Sequence, residues 1–116
     1  MASRHKITVP KNAEADDRFT YGQVIEDDLI QWWLTEEEFR ILWEGGIFLL
    51  VNEVANAWLD DHEEETIYKP QKIRKAIAAL ESKDFSKHPR LQGLVEKLTT
   101  LFKETLQRKV TIYFWF

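Results

Sequence analysis

The chain has 116 residues, of which 44% are apolar and 31% charged, the make-up of one soluble globular domain spanning residues 1–116. It has no cysteine and no apolar run of membrane-spanning length, which excludes disulfides, thiolate metal sites, cysteine nucleophiles and a transmembrane helix. The charged start Met1 to Lys6 predicts no secretory signal, and a cytoplasmic setting is expected.

The net charge of −4 hides a split, because residues 1–66 carry 16 acidic and 5 basic side chains while residues 67–116 carry 4 and 11. Such asymmetry fits either attraction between the two halves inside one fold or a charged partner surface. The 5 Trp, 3 Tyr and 7 Phe are enough large rings to build a substantial core in a short chain.

In chain order, Lys6 to Val9 alternate and read as a short strand stopped by Pro10. Residues 11–17 read as a polar loop and residues 18–25 as a second strand. Residues 27–34 fit a short helix capped by Asp27 or Asp28, or a strand. In either case the adjacent Trp32 and Trp33 cannot point into one core together. Leu34-Thr35-Glu36-Glu37-Glu38-Phe39 carries a capping box with its hydrophobic staple, which starts a helix over 36–44 that stops at Gly45-Gly46. Residues 47–61 lack a breaker and are apolar around most of the wheel, which predicts a central helix with Trp58 in the core. Asp60 to Glu65 form its polar exit.

Pro70 opens a helix over 70–82 with Ile73, Ala76, Ile77 and Leu80 on one face. Residues 90–108 have the clearest helical period, with Leu91, Leu94, Val95, Leu98, Leu101, Phe102 and Leu106 on one arc. Residues 109–116 alternate and are rich in β-formers, so they form a strand whose partners are residues 6–9 and 18–25. The predicted fold is therefore α+β and mostly helical, with about four helices around helix 47–61 and a small antiparallel sheet that includes strand 109–116. An all-helical bundle whose strand pairs with a second copy is the alternative.

Motifs for catalysis are weak. Gly45-Gly46 lacks the residues of a phosphate loop. Ser3, Ser82 and Ser86 sit in terminal or loop positions without a nucleophile elbow. His62 with Asp61 and Glu65 has partial metal-ligand spacing, but nothing marks further ligands. No catalytic residue, metal or cofactor is assigned, and an enzyme is not expected.

The reading that remains is a small non-enzymatic protein-binding module: a regulator, adaptor or neutralising partner. Its acidic surface is built from Asp60, Asp61, Glu63, Glu64 and Glu65, with Trp32 as an aromatic anchor. The expected partner is another protein with a basic surface; a homodimer is allowed and nucleic acid disfavoured. The alternatives are phosphate or nucleic-acid binding through Lys69, Lys72, Arg74 and Lys75 at a helix start, and a structural homo-oligomer. Those same cations could instead fold back and neutralise the acidic run.

Overall fold

The structure is a computed structural model that describes residues 4–116; Ser3 lies outside the described residues. In chain order it contains β1 (His5–Pro10), α1 (Ala13–Thr20), β2 (Leu29–Leu34), α2 (Glu36–Glu44), α3 (Ile47–Ala55), β3 (Glu64–Ile67), α4 (Pro70–Ser82), α5 (Pro89–Arg108) and β4 (Ile112–Trp115). The strands form one antiparallel sheet in the order β2-β1-β4-β3. The fold is thus α+β and mostly helical, with the C-terminal strand in the sheet, as the sequence predicts.

β4 enters between β1 and β3, so that Phe114 lies opposite Ile7 on one side and Glu65 on the other. A strand with rings on both faces needs cover on both, and the sheet interior supplies it. On the inner face Ile7, Val9, Trp32, Leu34, Ile112 and Phe114 are buried together with Phe48, Val51, Ile73, Leu98 and Phe102 of the helices. The i, i+3, i+4 stripe of α5 lies over this face, with Phe102 6.0 Å from Phe114 between ring centroids. Lys6, Thr8, Gln31, Trp33, Glu64, Thr66, Tyr113 and Trp115 belong to the outer face by strand alternation. Helix α1 covers part of it. Phe19 packs edge-on against Tyr113 at 4.6 Å and stacks on Trp115 at 5.7 Å. Asp16 accepts hydrogen bonds from the Thr111 backbone N–H and the Tyr113 hydroxyl.

The capping box on α2 is present, with Thr35 Oγ1 accepting from Glu38 N at 3.0 Å and Glu38 Oε1 accepting from Thr35 N at 2.8 Å. Gly46 follows with φ +76°, a geometry glycine adopts at little cost, and separates α2 from α3.

Several expectations need correction. Residues 11–17 are not a loop and 18–25 are not a strand, because Ala13–Thr20 is helical. Asn12 accepts from Ala15 N at 2.8 Å as N-cap, and Glu14 and Asp16 complement the first turn. The strand beside β1 is instead Leu29–Leu34, so neither Asp27 nor Asp28 caps a helix. Asp28 is buried and accepts from Arg18 Nε at 2.8 Å and Ile25 N at 3.0 Å, which closes the α1–β2 connection.

The predicted helix 47–61 ends at Ala55, and Asn56 turns into the left-handed region at φ 49°. The Asn52 side chain then donates to Leu59 O at 2.9 Å and accepts from Leu59 N at 2.6 Å, folding the chain back. Leu59 is thereby buried, and Trp58 is thrown outward at 68% exposure rather than into the core. Glu64 and Glu65, read as the end of a polar exit, instead open the edge strand β3.

Candidate protein-interaction surface

The sheet register decides which acidic residues meet. His5 opens β1 opposite Leu34, the last residue of β2. At the same end Phe116 N donates to Glu63 O at 3.0 Å, where β3 begins beside the end of β4. The chain leaving β2 enters the first turn of α2, Glu36-Glu37-Glu38, and the chain entering β3 is the run Asp60 to Glu65. Two acidic runs separated by more than twenty residues are therefore neighbours at one end of the sheet.

Arg4 and His5 join them. Arg4 Nη1 lies 2.8 Å from Asp61 Oδ1 and donates to Phe116 O, while Arg4 Nε lies 3.9 Å from Glu36 Oε1. His5 is buried, stacked on the Phe39 ring at 3.7 Å. Its Nε2 is 3.2 Å from Asp61 and its Nδ1 3.3 Å from Glu36. The hydrogen bond from Arg4 is the main reason Asp61 titrates low, at about 2; partial burial works against it and the bond to His5 adds to it.

The five carboxylates singled out in the sequence do different work here. Asp61 is held by Arg4 and His5. Glu65 accepts from Trp58 N at 2.7 Å and from Thr66 N at 2.9 Å, so it fixes the local backbone. Asp60 Oδ1 accepts from Asp61 N at 2.8 Å. Glu63 and Glu64 are exposed, and among the described residues neither forms an ion pair. The first turn of α2 adds Glu36 and Glu37, the latter 3.2 Å from Arg90, which the sequence marked only as a helix start.

Trp32 is not part of this surface. Strand alternation turns it inward, where it is 4% exposed with Lys97 Nζ 4.6 Å from its ring centroid. Trp33 is the exposed member of the pair and lies on the outer face. The ring that does border the acidic run is Trp58, whose backbone N–H is bound by Glu65. No local signal separates it from a core residue, because the helix end that exposes it depends on Asn52 reaching Leu59.

The basic segment stands apart. Among the described residues none of Lys69, Lys72, Arg74 and Lys75 pairs with a carboxylate, so the expected back-folding onto Asp60 to Glu65 is not made through ion pairs. Lys72 Nζ reaches Asn56 O at 3.5 Å, and the start of α4 has no side-chain cap. The suggested metal trio does not assemble either: Asp61 and Glu65 are turned to Arg4 and to backbone N–H groups, and no cluster of three or more metal-ligating side chains occurs among the described residues. No helix among the described residues is long and apolar enough to cross a membrane.

No family model matches the chain, and no curated protein matches it. A solved structure does, and it overturns the partner read from the sequence, a protein marked only by its basic surface, with a homodimer allowed and nucleic acid set aside. Over 97% of this chain and 99% of the other, at 19% identity and a TM-score of 0.66, the fold is similar to that of the Neisseria DNA mimic protein DMP12.

Proposed function

We propose that this protein binds a nucleic-acid-binding protein and occupies the site that would otherwise hold nucleic acid, without catalysing a reaction. The observation that carries this reading is the convergence of Glu36-Glu37 and Asp60 to Glu65 at one end of the sheet, where Arg4 and Arg90 pair with Glu36, Asp61 and Glu37 while Glu63 and Glu64 form no ion pair among the described residues. A row of phosphates and a row of carboxylates offer the same thing to Arg and Lys side chains, closely spaced anionic oxygens. The fold likeness to a DNA mimic supports the same reading. Carboxylates held on strands and a helix start are also pre-organised, which lowers the ordering cost of binding.

The test is displacement. The immobilised protein is incubated with extract from its source, and retained proteins are challenged with duplex DNA at constant ionic strength. The expected result is release of a protein that, once purified, shifts the same duplex in a gel and competes for it with this chain. The pair Glu37→Lys and Glu63→Lys, one from each acidic run, should weaken capture about tenfold or more and flatten its salt dependence. Retention that DNA cannot reverse, or that survives both reversals, overturns the proposal.

A further inference from the structure

Beside the acidic end, the outer sheet face carries a feature that charge alone does not explain. One row runs across all four strands: Trp33 on β2, Lys6 on β1, Trp115 on β4 and Glu64 on β3, each opposite the next. The Lys6 ammonium lies 4.7 Å from the Trp33 ring centroid and 3.9 Å from that of Trp115, a cation between two π faces. On the other flank of Trp115, toward β3, a cavity of about 410 Å³ opens, lined by Phe19, Tyr113, Trp115, Glu64 and Thr66 among others. Lys6 does not reach it. Phe19 is held against Tyr113 and Trp115 by α1, so three rings wall the cavity and one carboxylate closes the row.

Glu64 and Trp115 face each other at a position where the strands make no mutual backbone bonds, since the ladder bond goes from Phe116 N to Glu63 O. Side chains come closest at such pairs. The row thus alternates ring, cation, ring, anion and then stops, because no cation of this chain pairs with Glu64 among the described residues.

We propose that this cavity receives an arginine side chain of the partner, its guanidinium against the Trp115 and Phe19 rings and its N–H groups donating to the Glu64 carboxylate. A planar, weakly hydrated guanidinium fits rings and a carboxylate together better than an ammonium does. The assignment rests on the proposed binding of a nucleic-acid-binding protein, whose phosphate-contacting site supplies arginines, and it names where one of them goes.

The experiment uses short blocked peptides, Gly-Ser-Xaa-Ser-Gly, with Xaa arginine, lysine or citrulline, titrated into the isotope-labelled full chain and followed by two-dimensional NMR. The arginine peptide should give saturable shifts greatest at the Trp115 indole N–H and the Glu64 amide, with lysine weaker and citrulline inert. Glu64→Gln should weaken arginine binding about tenfold, whereas Glu53→Gln, at an exposed glutamate of α3 outside the cavity lining, should leave it unchanged. Equal response to citrulline, shifts centred on other residues, or indifference to Glu64→Gln overturns the assignment. Neither DNA nor a captured protein enters this assay, so its failure and that of the displacement test are read separately.

Discussion

Replacing Asn52 with Ala should unfasten the segment that carries the acidic run. Its side chain makes two hydrogen bonds to one residue, accepting from Leu59 N at 2.6 Å and donating to Leu59 O at 2.9 Å. Leu59 is 1% exposed, so its backbone groups have little access to water when the amide is removed. Each stranded group costs about 1–3 kcal/mol, which puts the loss for Asn52→Ala at about 2–4 kcal/mol after partial relaxation. For a chain of this size that corresponds to a drop in Tm of very roughly 10 °C or more. Asn52→Asp separates the two bonds: the carboxylate still accepts from Leu59 N but cannot donate to Leu59 O. It should therefore fall between wild type and Asn52→Ala. Urea melts followed by circular dichroism measure the losses, and tryptophan emission gives a local report because Trp58 sits in the clamped segment. A loss below about 0.5 kcal/mol for Asn52→Ala, or identical losses for the two variants, would refute the clamp.

The α2 cap gives a smaller and more local effect: Thr35→Ala should cost about 1 kcal/mol in the same melts, and no loss would mean that the capping box is not stabilising. Acid should unfold the protein through two carboxylates. Arg18 is the main cause holding Asp28 at about 2, as Arg4 is for Asp61, both below the ordinary value of 3.8. For groups depressed in the folded state, the unfolded chain takes up protons first as pH falls. Their contribution is complete above pH 3.8 and is lost progressively toward pH 2. Asp61→Asn should accordingly flatten the decline in stability between pH 5 and pH 2.5 relative to wild type, as read by urea midpoints. Parallel curves would show that the Arg4–Asp61 bond contributes nothing in solution.

What could be read in the sequence is what local chemistry determines. The α2 start follows from Thr35 and Glu38, the α5 face from a sustained apolar period, and β4 from strict alternation. α1 escaped because Ala15 is its one buried residue and Phe19 is only half-covered, too few apolar positions to show a period. β3 escaped because Glu64-Glu65-Thr66 is an edge segment, and charged side chains there protect a sheet edge while hiding it from a pattern built on apolar residues. The end of α3 was invisible for another reason: Asn52 stops the helix by bonding a residue seven positions on, and nothing in the run 47–61 breaks a helix by itself. The acidic segment of the site was legible from composition, but its junction with Glu36 and Glu37 was not, since it depends on which strand ends lie side by side.

That junction also explains how so many carboxylates are tolerated. Like charges gathered at one end of a small fold repel one another and oppose compaction. Arg4 meets this where it matters most for the fold, bridging Asp61 and Glu36 while its guanidinium also donates to Phe116 O, so one cation ties the start of α2, the acidic loop and the end of β4. Glu65 and Glu38 are offset by backbone N–H groups rather than by cations. The carboxylates with a structural task are thus the ones turned toward the protein, and Glu63 and Glu64, which have none, face outward. A surface divided this way keeps its negative potential rigid and its outermost oxygens exposed, which is the arrangement that the proposed role as a stand-in for phosphates would require.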